Sequence, residues 1–142
     1  MKLRMLVAAV LGTAGAVWAL DASLQDRVRQ LELDGEARQA RQLLEDALHS
    51  APGDADLLEY SAHFADMRRD AEALALYQRL ADLPGLAVPR RQAALRRLIQ
   101  LELAAGNRTA ATAHLADLRN TGVPAPELPQ TPQPVFPMGY VE

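Results

Sequence analysis

From Asp21 to Asn120 the apolar positions recur with the spacing of helices, and the recurrence breaks at regular intervals. Between 36 and 49, Ala37, Ala40, Leu43, Leu44, Ala47 and Leu48 mark one helical face and not the alternation of a strand. The same reading gives helices over 21–34, 55–67 (through Leu57, Leu58, Ala62 and Ala65), about 70–83, 90–105 and from Asn107 to near Asn120. The breaks carry their own chemistry. Gly35 and Gly106 are stops that tolerate a left-handed backbone. Pro52-Gly53 and Pro84-Gly85 cannot continue a helix, and Asp54 and Asn107 stand where a side chain caps the next one. The pattern predicts an all-α chain of six helices joined by short connections.

Paired, the helices show a period. Ala40, Leu44, Ala47 and Pro52 stand at offsets 0, 4, 7 and 12; Ala73, Tyr77, Leu80 and Pro84 at 0, 4, 7 and 11; Ala111, Leu115, Leu118 and Pro124 at 0, 4, 7 and 13. Gly35 and Gly106 each precede the leading alanine by five residues. A recurring helix–turn–helix of this length, with small residues early in the second helix and a closing proline, resembles the tetratricopeptide repeat (TPR) family. Leu57, Tyr60, Ser61 and Phe64 match the family's first-helix positions; Leu24, Val28 and Leu31 match less closely. The third pair departs from the pattern. Glu102 falls where an aromatic belongs, and the linker Gly85–Arg91, with Pro89, is longer than the family's. The resemblance implies a right-handed α-solenoid of three repeats, about 21–53, 54–87 and 90–123, within a domain spanning 20–120. It also implies that helix six, with Ala110, Ala111, Ala113, Leu115 and Leu118, needs a cover, since no seventh helix follows Asn120.

Two flanking segments read differently. Met1–Arg4 carries two positive charges, Met5–Ala19 is uncharged and largely apolar, and Val17-Trp18-Ala19 offers small residues at the −3 and −1 positions. This is the pattern of a Sec-type signal peptide over 1–19, cleaved after Ala19, with a periplasmic or secreted product. At about 15 residues the apolar run is short for a membrane span, so no span is expected after cleavage. At the other end, 121–142 holds six of the nine prolines together with Val135, Phe136, Met138 and Tyr140. That composition favours an extended tail or linker. The apolar residues leave open a tail that folds back over helix six, or one that docks on another protein.

Charge and composition narrow the function classes. Without the leader, thirteen arginines face eighteen carboxylates, a net charge of −5, which gives no general pull toward nucleic acid. There is no cysteine, hence no disulfide, thiolate nucleophile or cysteine zinc site. His49, His63 and His114 fall one per repeat without metal-ligand spacing. His63 and Asp66 could pair on one helix, but no serine or third partner is fixed beside them. The chain reads as a non-enzyme that uses no cofactor or metal.

Arg90, Arg91, Arg96 and Arg97 form the one cationic concentration. Arg90 and Arg91 lie at a helix N-terminus, where cations are unfavourable and need a cause. The cluster reads either as an anionic-ligand patch, for an acidic peptide, lipid headgroup or polysaccharide, or as a solvated face neutralised by acids of neighbouring helices. By resemblance, the family's concave groove falls on Gln25, Arg29, Glu32, Leu58, Ala62, Asp66, Arg96 and Gln100. The expectation is an exported interaction module, a scaffold or assembly factor that holds another protein's segment. The alternative is the N-terminal helical region of a larger envelope enzyme or of a polysaccharide or protein export machine.

Overall fold

The computed structural model describes residues 21–122; the leader read over 1–19 and the tail from 123 onward lie outside them. The described residues form six α-helices and no strand: α1 (Ala22–Leu33), α2 (Ala37–Ser50), α3 (Ala55–Met67), α4 (Glu72–Ala81), α5 (Val88–Ala104) and α6 (Arg108–Asn120). None of these helices is long and apolar enough to cross a membrane.

Side chains written into the breaks start the helices. Asp21 Oδ1 accepts from Leu24 N at 2.7 Å, Asp54 Oδ1 from Leu57 N at 3.0 Å, and Asn107 Oδ1 from Ala110 N at 3.3 Å. Each satisfies one of the orphan donors of a first turn. Asp70 reaches Glu72 N at 3.2 Å, so α4 opens slightly later than the periodicity suggests. α5 opens earlier, at Val88, with Pro89 in its first turn. The stretch read as a long linker is therefore partly helix. Proline fits there because the missing N–H would have had no helical partner.

One turn closes all three hairpins. Glu36 N bonds Leu31 O at 2.7 Å, Asp70 N bonds Ala65 O at 3.0 Å and Asn107 N bonds Glu102 O at 2.8 Å, and in each the preceding amide bonds the residue one further on. This is the Schellman arrangement, which needs a left-handed residue before the last amide. Gly35 (φ 79°) and Gly106 (φ 79°) supply it twice, and Arg69 (φ 54°) supplies it in the middle.

The core follows the period in the second and third pairs, where Ala73, Tyr77 and Leu80, then Ala111, Leu115 and Leu118, are buried; in the first, Ala40 and Leu44 are buried but Leu48 takes the third place and Ala47 is half-buried. Burying a leucine fully is worth roughly 1.5–3 kcal/mol, and Leu58, Leu80, Leu98 and Leu118 are the largest fully buried side chains together with Val28. Each helix packs on its chain neighbours, with α3 on α4, α4 on α5 and α5 on α6 the closest and α2 on α3 the thinnest.

Of the helix-six residues expected to leave apolar surface open, Ala113 is exposed and Ala110 half-buried, while the larger side chains are covered. Ala111, Leu115 and Leu118 form one buried stripe, while Thr109, Thr112, Ala113, Ala116 and Asp117 face outward. Large apolar side chains are exposed elsewhere: Leu33 and Met67, each the last residue of its helix, and Val88.

Candidate functional site

The first helices of the hairpins carry a ladder of ion pairs. Glu59 and Asp66 stand seven residues apart on α3, and Arg90 and Arg97 seven apart on α5. Two helical turns separate the members of each pair, so both carboxylates and both guanidiniums share a face. Arg90 Nη2 lies 2.5 Å from Glu59 Oε2 and 2.7 Å from Asp56 Oδ1. Arg97 donates from Nε to Asp66 Oδ2 and from Nη2 to Oδ1, both at 2.6 Å. At the other junction Arg68, which caps α3, pairs with Glu32 of α1, and Arg41 of α2 pairs with Asp70. Exposed pairs contribute about 0–1 kcal/mol each. Their effect is to fix register between helices that share few apolar contacts.

Asp66 is the centre of this network. Its side chain is 14% exposed, and the Arg97 hydrogen bonds hold its carboxyl below the ordinary range against the opposing effect of burial. Tyr77 donates to Asp66 Oδ2 at 3.2 Å, and its hydroxyl stands 3.1 Å from His63 Nδ1. The direction of the Tyr77–His63 bond follows the imidazole tautomer, since the one phenolic proton serves one acceptor. Burial, followed by the charge of Asp66, pushes the Tyr77 hydroxyl up to about 12. The carboxylates beside Arg90 and Arg97 raise both guanidiniums. His63 and Asp66 thus meet through Tyr77, not directly. No group of three metal-ligating side chains occurs among the described residues.

The four-arginine patch separates into parts. Arg90 and Arg97 are rungs of the ladder. Arg91 donates to Ala81 O at 3.0 Å and to Leu83 O at 2.7 Å, capping the C-terminus of α4. Here is the cause that a cation at a helix N-terminus required: the start of α5 lies against the carbonyl end of α4. Arg96 is exposed and makes no hydrogen bond or ion pair among the described residues.

The groove positions also divide. Arg29 is exposed and pairs with Asp26 at 3.3 Å. Glu32 and Asp66 are tied to Arg68 and Arg97. Gln100 is exposed and accepts from Arg97 Nη1 at 2.9 Å. Gln25 lines a shallow depression with Asp56, Glu59, Tyr60 and His63. Leu58 and Ala62, in contrast, are 0% exposed. α3 packs against both α2 and α4, which takes both leucines of the Leu57-Leu58 step out of solvent. The apolar contact on this face is the half-buried Tyr60, which burial and the nearby Glu32 push up in pKa. Family position had pointed to Leu58. The signal for Tyr60 was its spacing of four residues from Asp56 and three from His63, polar residues that mark the outer side of the helix.

Comparison with family models, with curated proteins and with solved structures gave no match to this chain.

Proposed function

We propose that the chain is an exported module of three tetratricopeptide-like repeats, wound as a right-handed solenoid, that holds a segment of another protein. The binding face is that of α1, α3 and α5, and the module does no chemistry of its own. The observation that carries this reading is the ladder itself. Ion pairs link Glu32 of α1 to Arg68 at the end of α3, and Glu59 and Asp66 of α3 to Arg90 and Arg97 of α5, while Arg29, Arg96 and Gln100 stay exposed. A row of helices joined by polar rungs, with an aromatic at Tyr60, suits an extended segment of mixed charge. An aromatic is the type of side chain that dominates such interfaces. Export rests on the leader pattern of residues 1–19, which places the product in the periplasm or outside the cell.

Photo-crosslinking tests the assignment. A photoreactive residue at Arg29 or Arg96, with the mature chain in its native envelope fraction, should label neighbouring stretches of one partner. The same residue at Arg119, on α6, should not. Equal labelling from Arg119, or none from the other two, would remove this face from consideration.

A further inference from the structure

Two junctions join the three hairpins, and they are built differently. Aligned by their turn hydrogen bonds, α5 and α3 correspond with Glu102 at the place of Ala65. On that register Leu98, 0% exposed, stands where α3 has Ser61, so a small side chain takes a leucine's place. Arg91 binds the Ala81 and Leu83 carbonyls at the end of α4. It stands where α3 has Asp54, which caps its own helix instead. The connections differ in the same sense. Residues 82–87 bring Leu86 into the core with Leu83 packed against it, whereas in residues 51–54 Ala51 is the one apolar side chain packed there. In consequence α4 and α5 lie close, while α2 and α3 meet thinly. A cleft of about 420 Å³ opens at this thin junction, lined by Leu44 and Leu48 of α2 and by Ser61 and Phe64 of α3. The buried Ser61 hydroxyl has no hydrogen-bond partner among the described residues, which weakens the closed junction further.

We propose that the α1–α2 hairpin is a detachable unit, which opens from α3–α6 and melts as one while those four helices stay folded. It is held closed by Ala40, Leu44 and Leu48, which are buried, and by the ion pairs Glu32–Arg68 and Arg41–Asp70 at the turn end of the hairpins. Exposed pairs of this kind add little. Once released, the hairpin has no core of its own. Val28 is the one buried residue of α1, and helices of 12 and 14 residues are marginal in water without packing. A pair of helices in a stacked array relies on its neighbour to bury its apolar face, and here that neighbour is reached through the weaker junction. The hairpin at the other end, α5–α6, has the stronger one, so the opening is one-sided. Opening takes Gln25, Arg29 and Glu32 away from the side of α3. A partner that spans α1 and α3 would then stabilise the closed form. That consequence rests on the proposed function; the opening itself does not.

Native-state hydrogen exchange of the mature chain, followed by NMR in rising urea, tests the opening with no partner present. Amides of α1 and α2 should share one opening at least about tenfold more frequent than that of α5 and α6. Its urea dependence should be shallower, because less surface is exposed. Leu118→Val removes one methylene from α6, where Leu118 is fully buried. It should speed exchange in α5 and α6 about three- to fivefold and leave α1 and α2 unchanged, since α6 stays folded when they open. One opening free energy shared by all six helices overturns the proposal. So does faster exchange in α1 and α2 on Leu118→Val, because both results mean that the chain opens only as a whole. Exchange in α1 and α2 that varies from amide to amide without urea dependence overturns it too, as the mark of fraying ends and not of a unit.

Discussion

Arg97 grips Asp66 through two hydrogen bonds of 2.6 Å, joining α5 to α3 across 31 residues of chain. The Tyr77 hydroxyl supplies a third bond to the same carboxylate. Paired parallel bonds between a guanidinium and a carboxylate are the stronger kind of ion pair, although the Arg97 side chain is 40% exposed, which discounts the Coulomb gain. Arg97→Ala should cost about 1–2 kcal/mol in urea unfolding. Arg97→Lys should recover only part of that, since an ammonium cannot bond both oxygens in the fork geometry. Full recovery by lysine would show that charge alone matters at this rung.

The same carboxylate sets an acid limit and its neighbour an alkaline one. Asp66 titrates lower in the folded chain than in the unfolded chain. Its stabilisation is therefore present above the unfolded value of about 3.9 and is lost as pH falls toward the folded one. Tyr77 is shifted the other way, to about 12. Its stabilisation is complete below an unfolded value of about 10 and is lost as pH rises through 12. Stability profiles of Asp66→Asn and Tyr77→Phe should flatten the acid and alkaline flanks respectively. Asp21, whose carboxyl is lowered chiefly by the Ser23 hydroxyl, also titrates on the acid side, so Asp66→Asn should leave a small residual slope.

Arg69 holds a left-handed backbone where the two matching turns have glycine. A side chain there costs about 1–2 kcal/mol, part of which glycine's freedom in the unfolded chain cancels. Arg69→Gly should raise stability by about 0.5–1 kcal/mol. Gly35→Ala and Gly106→Ala should each lower it by a similar amount. A Cβ at either glycine would meet nothing within 4 Å, so backbone strain alone accounts for the loss. Thermal melts of the three variants check this.

What the sequence revealed depended on whether the cause was local. Gly35, Gly106, Asp54 and Asn107 act within their own turns, and all six helices were legible from such signals. Arg69 hid its turn, because an arginine gives no hint of a left-handed backbone. Pro89 was misleading for another local reason: a proline looks like a break, although the first turn of a helix accepts it. The site was less legible, since its partners are distant in sequence. Arg91 needed the carbonyls of Ala81 and Leu83 to explain its place. Leu58 needed the packing of α3 between two helices to show that it is core. Periodicity identifies the faces of one helix but not how many neighbours that helix will have.

Glu102 tests how far the third hairpin can depart from the other two. By the turn hydrogen bonds it stands where Ala65 stands in the middle hairpin, thirty-seven residues earlier, and both are buried, Ala65 at 5% and Glu102 at 6% exposure. A buried carboxyl group needs a partner, and His114 Nε2 lies 4.0 Å from Glu102 Oε1. His114 Nδ1 is buried without a hydrogen-bond partner. His114→Leu should therefore cost about 1–3 kcal/mol by stranding the carboxylate. Adding Glu102→Leu should return stability to at least the starting value, because an apolar pair of similar volume replaces two desolvated polar groups. A double-mutant cycle in urea measures the coupling directly. A neutral His114→Leu would mean that Glu102 finds its compensation elsewhere. A large coupling would mean that this hairpin keeps the buried pattern of its neighbours with a polar pair where the middle hairpin has Ala65.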